Sequence, residues 1–109
     1  MKIVFDYDDK KYTLEYTLRT ASAAEKEGLN VFEIDQNPST MIPILVNGAF
    51  QRHHRGMTRQ QTDKIYIDGI RKKNDFIKTL VEMYLEAVSA LVDTEEDEDE
   101  GNANWTKSD

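Results

Sequence analysis

The stretch Lys2–Leu18, KIVFDYDDKKYTLEYTL, decides how the fold begins. Apolar residues alternate with polar ones on both sides of the short polar link Asp8-Asp9-Lys10. The alternating apolar residues are Ile3, Phe5, Tyr7, Tyr12, Leu14 and Tyr16. A period of two indicates strands, and the short link predicts an antiparallel β-hairpin. Because an isolated hairpin is only marginally stable, we expect helices to cover one of its faces.

Helical patterns follow the hairpin. Thr20 or Ser22 is expected to cap a short helix that ends at Gly28, and Ser22 and Glu25 have the spacing of a capping box. The next apolar stretch, Leu29–Ile34, is short and is followed by the turn dipeptide Asn-Pro. It is therefore expected to be a loop or a single turn of helix.

Two further helices are predicted between residues 40 and 69. The first is expected to start at Thr40, with Pro43 in its first turn, where a missing N–H group costs little. It is expected to close with four residues that can be cationic, before Gly56: Arg52, His53, His54 and Arg55. Thr58 and Gln61 form a capping-box pair for the second helix, which is expected to end at Gly69.

The last helix has the clearest pattern. It is expected to begin at Asn74 or Asp75, and its apolar residues keep an i, i+3, i+4 rhythm over four turns. The residues expected to face inward are Phe76, Ile77, Leu80, Val81, Tyr84, Ala87, Val88 and Leu91.

Charge is strongly segregated along the chain. Residues 1–92 hold 13 Asp or Glu and 13 Lys or Arg, so the whole net charge of −7 comes from residues 93–109. An acidic run such as Asp93–Glu100 repels itself and cannot bury its side chains. The sequence therefore predicts an α+β domain over residues 1–92, a hairpin packed on three or four α-helices, and a disordered acidic tail over residues 93–109.

The sequence lacks the residue patterns of several common catalytic and ligand-binding sites. The chain has no cysteine, no Gly-rich phosphate loop and no Ser/His/Asp pattern. Its only histidines, His53 and His54, are adjacent and would point about 100° apart on a helix, which does not suit one metal ion. We expect no catalytic site, no metal and no cofactor, and hence no enzyme. No stretch approaches a signal peptide or a membrane span, so the cytoplasm is the expected location.

A basic segment and a lone tryptophan are the candidates for partner binding. Residues 52–73 carry seven Lys or Arg against two Asp. The candidate residues are Arg52, Arg55, Arg59 and Trp105. The basic segment could bind nucleic acid, form an ordinary solvated face, or hold the acidic tail until a partner displaces it. An isoelectric point near 4.8 makes nucleic acid the weaker choice. Trp105 would serve as a docking anchor, since aromatic residues are typical hot spots.

The order of these segments resembles a known family. The relevant segments are KIVFDYDDKKYTLEYTLRT (2–20), AEKEGLNVFEI (24–34), PSTMIPILVNGAFQRHHR (38–55), DFIKTLVEMYLEAVSALV (75–92) and GNANW (101–105). Together they resemble the tail-assembly chaperones of long-tailed (siphovirus) phages and prophages of Gram-positive bacteria. Thr40–His54 and Gly101–Trp105 are the most specific parts of this resemblance.

The resemblance implies a protein-binding function without a reaction or cofactor. Such chaperones coat the tape-measure protein, keep this long helical rod in solution, and help to recruit the major tail protein. They act in the bacterial cytoplasm as a multi-copy coat, in which copies could also associate with one another, and are absent from the mature virion. Many have a longer, frameshifted form. Two alternatives stay open: a small DNA-directed regulator that uses residues 52–73, and a structural head–tail joining protein.

Overall fold

A computed structural model describes residues 1–73 and 75–92. The disordered tail expected over residues 93–109, the candidate anchor Trp105 and the candidate helix cap Asn74 lie outside the described residues. The expected α+β architecture is confirmed: an antiparallel hairpin is followed by helices. The elements are β1 (Ile3–Tyr7), β2 (Lys10–Leu14), α1 (Leu18–Lys26), a 3₁₀ turn (Val31–Glu33), α2 (Pro38–Phe50), α3 (Arg59–Ile65), a π turn (Tyr66–Ile70) and α4 (Phe76–Val92).

The hairpin closes through a two-residue turn. Tyr7 pairs with Lys10, so only Asp8 and Asp9 lie between the strands. Both aspartates have positive φ angles, 52° and 62°. This backbone matches the twist of the flanking strands, and Asp tolerates it better than most residues. Lys10 belongs to β2 rather than to the turn expected from the sequence.

The start of α1 differs from the expectation. Thr17, not Thr20 or Ser22, caps the helix: its hydroxyl accepts a hydrogen bond from the Thr20 N–H at 3.2 Å. The Thr20 hydroxyl in turn accepts one from the Thr17 N–H at 2.9 Å. Thr20 therefore takes the third position of a capping box, a place usually filled by Glu or Gln. Ser22 lies inside the helix, so its spacing to Glu25 has no capping role.

Helix α2 begins and ends earlier than expected. It starts at Pro38 after Asn37, so Thr40 is not its cap and Pro43 lies beyond its first turn. Pro38 suits this first position because its fixed φ is helical and its missing N–H would have no intrahelical partner. The helix ends at Phe50. The expected cationic last turn was therefore wrong, since Arg52–Arg55 lie in the turns that follow α2.

Helix α3 starts as predicted, with a complete capping box between Thr58 and Gln61. Gly69 does not end it; the chain continues through the π turn to Ile70. Gly69 lies against the ring of Tyr7, and an added Cβ atom would stand 2.7 Å from the ring carbon Cδ1. The glycine therefore allows the hairpin to approach this turn closely.

Helix α2 is the centre of the hydrophobic core. Its last residue, Phe50, meets the rings of Phe5 and Tyr12 edge-on, at centroid distances of 6.2 and 5.8 Å. Just after β2, Tyr16 meets Tyr84 of α4 in the same way at 5.7 Å. The hairpin, α2 and α4 thus share one core. The buried residues of α4 are Phe76, Leu80, Met83 and Tyr84.

The inward face predicted for α4 was wrong at one position, Leu91. Leu91 is 68% exposed, although it continues the apolar rhythm. Met83 of α4 is buried, although the sequence pattern did not place it on the inward face. The rhythm gives the general direction of a face, but neighbouring elements decide how far along the helix burial extends.

Candidate partner-binding surfaces

Three arginines meet in one concave surface. Arg19 comes from the first turn of α1, and Arg52 and Arg55 come from the turns after α2. The hollow has a volume of about 340 Å³. We call it the arginine pocket, and it is lined by Thr17, Arg19, Thr20, Gln51, Arg52 and Arg55. Two of the candidate residues, Arg52 and Arg55, thus lie together.

A network of side-chain amides fixes the segment that carries Arg52 and Arg55. The Asn47 amide, buried in α2, donates to the Met57 carbonyl oxygen and the Thr62 hydroxyl, both at 3.1 Å. The Gln51 amide donates to the Asn47 side-chain oxygen and to the same Met57 carbonyl, again at 3.1 Å. Gln51 also accepts from the Gly56 N–H at 3.1 Å. Polar groups that satisfy one another hold a single geometry, so the network fixes the conformation of the turns after α2, residues 51–56.

The candidate Arg59 does not line the pocket. Its guanidinium pairs with Glu27, at the end of α1. Lys64 likewise pairs with Asp68 one helical turn later, at 3.1 Å. These ion pairs neutralise two of the seven cations of the basic segment, which weakens the case for a continuous nucleic-acid surface. Both ion pairs are substantially exposed, so water and salt screen them.

Both histidines have structural contacts. His53 contacts the Glu15 carboxylate at 2.7 Å, and this hydrogen bond is the main cause that lowers the pKa of Glu15. The Nε2 atom of His54 accepts a hydrogen bond from the Thr13 N–H at 3.0 Å. Partial burial, and then the nearby His53, lower the pKa of His54, which keeps it neutral as an acceptor. The two histidines thus tie the turns after α2 to Thr13 of β2 and to Glu15 just after it.

A second surface is apolar and lies between α1 and the end of α4. We call it the apolar groove, and it is lined by Leu18, Ser22, Glu25, Val88, Leu91 and Val92. Its volume is about 390 Å³. The leucines and Val92 are exposed, whereas Val88 is partly buried against the core. Exposed apolar side chains that line a shared hollow are typical of a protein-binding surface.

Glu25, one of the residues that line this groove, is bound by Tyr84 of α4. The Tyr84 hydroxyl donates a hydrogen bond to the Glu25 carboxylate. Burial is the largest of the effects that raise the pKa of Tyr84 to about 12, and the hydrogen bond and negative charge of Glu25 add to it. The contact locks α1 to α4 and therefore fixes the width of the apolar groove.

A third hollow lies between α2 and α3. It has a volume of about 290 Å³ and contains two prolines. Its lining residues are Pro38, Ser39, Ile42, Pro43, Asp63, Tyr66 and Ile67. Elsewhere on the surface, Phe32 of the 3₁₀ turn is 82% exposed and lines none of these three hollows.

Residues 1–73 and 75–92 contain neither a cluster of metal-binding side chains nor a helix that could span a membrane. No three His, Cys, Asp or Glu side chains in these ranges come together as a metal site would require. None of the helices in the described ranges combines the length and the apolar character that crossing a membrane requires.

The family comparison covers almost the whole chain. The model of a domain family of unknown function, DUF5055, matches residues 1–108. The chain belongs to the DUF5055 family. No curated protein and no solved structure matches it. The evidence for the function of this DUF5055 protein therefore lies in its own surfaces and sequence.

Proposed function

We propose that this DUF5055 protein is a phage tail-assembly chaperone. It binds the tape-measure protein, keeps it in solution and helps to recruit major tail protein during assembly of the tail tube. On this proposal it works in the cytoplasm of the bacterial host, catalyses no reaction and is left out of the mature virion. The resemblance of Thr40–His54 and Gly101–Trp105 to such chaperones suggests the class, and the apolar groove supports it.

The apolar groove is the observation that carries the proposal. Its exposed leucines, Leu18 and Leu91, belong to two different helices that Tyr84 and Glu25 hold together. An amphipathic helix presents apolar side chains at intervals of three and four residues, and a groove between two helices receives them. A long rod built from such helices exposes more apolar surface than water tolerates. Repeated copies of a small domain can cover that surface.

The neutral charge of residues 1–92 fits the same function. A neutral domain does not repel its own copies strongly, so many can line up along one rod. The acidic residues 93–109 add negative charge to each copy and oppose aggregation of the coat.

Variants of the apolar groove test the proposal. The chain is co-expressed with the tape-measure protein of its own phage, and the soluble yield of that partner is measured with and without it. Burial of a fully exposed leucine contributes about 1.5–3 kcal/mol. Leu91 is 68% exposed and Leu18 is 42% exposed, so Leu91→Ser should weaken the complex roughly tenfold and Leu18→Ser by less. Both side chains are exposed, which leaves the fold of the free protein intact.

Phe32→Ser is the matched control, because it removes an exposed apolar side chain outside the groove. It should leave the soluble yield unchanged. If the groove variants and the control behave alike, the apolar groove is not the binding surface. If the unsubstituted chain fails to raise the soluble yield, the chaperone proposal itself is wrong.

A further inference from the structure

The arginine pocket brings three positive charges together, and the only described carboxylate whose pKa responds to one of them is Glu15, whose pKa is lowered mainly by its contact with His53 and also by Arg52. Within residues 1–73 and 75–92, Arg19, Arg52 and Arg55 take part in none of the ion pairs. Thr17 and Thr20 hold the first turn of α1 beside them through their capping box. Like charges held together repel one another, and an anionic ligand relieves that repulsion. Guanidinium groups favour carboxylates because two parallel N–H groups fit the two oxygens.

The acidic run of the chain starts close to this pocket. Val92, the last described residue, lines the apolar groove together with Leu18 and Ser22. Leu18 and Ser22 also line a neighbouring hollow with Arg19, which itself reaches into the arginine pocket. The path from Val92 to the pocket thus crosses adjacent surfaces of a single helix, α1.

The chain beyond Val92 is long enough to cross the width of α1, since an α-helix with its side chains is about 10–12 Å across. Glu95 is three residues beyond Val92 and Glu100 is eight. An extended chain covers at most ~3.3–3.6 Å per residue, so these positions reach up to roughly 10 and 29 Å. Every residue from Glu95 to Glu100 is acidic, which provides six carboxylates for three arginines.

We propose that the arginine pocket binds the acidic segment Glu95–Glu100 of the same chain. The covalent link keeps the local concentration of these carboxylates at about the millimolar level, so individually weak contacts are sufficient. The contact is electrostatic and involves several interchangeable carboxylates, and salt therefore weakens it. The inference is independent of the proposed chaperone function.

The structure also changes which cations are involved. From the sequence alone, a contact with the acidic tail was one of three possible functions of the whole basic segment, residues 52–73. Arg59 and Lys64 of that segment are already paired with Glu27 and Asp68. Arg19, which lies outside the segment, joins Arg52 and Arg55 instead.

A spin-label experiment on the full chain tests the contact. The protein has no cysteine, so Gly101→Cys provides a unique attachment site for a nitroxide next to the acidic segment. At low salt, the amide NMR signals of Arg19, Arg52 and Arg55 should broaden more than those of the hairpin turn at Asp8. At 1 M salt, where the Debye length is about 3 Å, the broadening should disappear.

Matched charge variants separate the arginine pocket from general attraction. Replacing all three pocket arginines by glutamine should abolish the broadening of signals around the pocket. Replacing Lys10, Lys72 and Lys73 by glutamine removes the same charge elsewhere and should preserve it. Absence of broadening in the unsubstituted chain, or equal loss in both triple variants, would overturn the proposal.

A mixed sample identifies the chain that supplies the carboxylates. Isotope-labelled protein without a nitroxide is mixed with unlabelled protein that carries one. The proposal expects no broadening in this mixture, because each pocket is filled by its own chain. Broadening that is as strong in the mixture as in the directly labelled chain would show contact between copies and overturn the intramolecular assignment.

Discussion

Tyr16 lies so close to Gly48 that a Cβ atom at position 48 would stand 2.4 Å from the phenol oxygen. That hydroxyl donates a hydrogen bond of 2.6 Å to the Leu45 carbonyl oxygen on the same helix, α2. Burial is the main cause that raises the pKa of Tyr16, so the phenol stays neutral. The segment after β2 is thereby fixed directly against the central helix.

Gly48→Ala should destabilise the protein despite the higher helix propensity of alanine. The gain from propensity is about 1 kcal/mol, whereas forcing a buried tyrosine to move costs about 1–3 kcal/mol. Urea unfolding of Gly48→Ala, Tyr16→Phe and the double variant measures the coupling. Because Tyr16→Phe removes the closest atom, the cost of Gly48→Ala should be smaller in that background. Equal costs in both backgrounds would contradict the contact.

Leu80→Ala should be strongly destabilising because Leu80 is 0% exposed in the middle of α4. Truncation of a fully buried leucine costs about 2–5 kcal/mol. Thermal or urea unfolding measures the effect. Leu85→Ala, at a position 39% exposed on the same helix, is the control and should cost much less. Similar losses for both variants would mean that α4 presents a different face to the core.

Stability should fall at high pH partly through Tyr84. Its folded pKa of about 12 lies above the ordinary value of 10.0, so the folded state holds the proton more tightly than the unfolded state. The associated stability is complete below pH 10 and is lost as pH rises towards 12. Tyr84→Phe should therefore show a shallower loss than the unsubstituted protein in urea titrations across this window. Parallel curves would contradict the assigned shift.

The parts of the fold that depend on local patterns could be predicted from the sequence. The alternation of apolar and polar residues over Lys2–Leu18 predicted the hairpin, and the spacing of Thr58 and Gln61 predicted the N-terminal cap of α3. The pairing of Thr17 with Thr20 was missed because threonine rarely completes a capping box. The exposure of Leu91 was also missed, since the extent of its burial depends on where α1 begins and not on the rhythm of α4.

The candidate site was predictable only in part, for a similar reason. Arg52 and Arg55 stood out as members of a basic segment, but Arg19 is 33 positions from Arg52 in the sequence. Only the packing of α1 on α2 brings them together. The partner of Arg59 could not be assigned either, because Glu27 is distant in sequence. The pair Lys64–Asp68 was overlooked, although its i, i+4 spacing is typical of a helical ion pair.

Deletion of residues 93–109 should leave the fold of residues 1–92 intact and make its complexes less soluble. The core described here is formed within residues 1–92, whose Lys and Arg balance their Asp and Glu. A protein of near-zero net charge associates more readily. Circular dichroism checks the fold, and light scattering of the complex with the tape-measure protein checks its solubility. An unchanged scattering signal would remove the solubilising function assigned to the acidic residues without affecting the binding claim.

The most direct test of the account is the stoichiometry of the complex with the tape-measure protein. The two proteins are co-expressed and co-purified, and the mass of the complex is measured by sedimentation or native mass spectrometry. We expect several copies of this chain on each tape-measure rod, because one small domain covers only a short part of a long helix. A single copy per rod, recovery of the rod without this chain, or insolubility of the rod in its presence would contradict the proposed chaperone function.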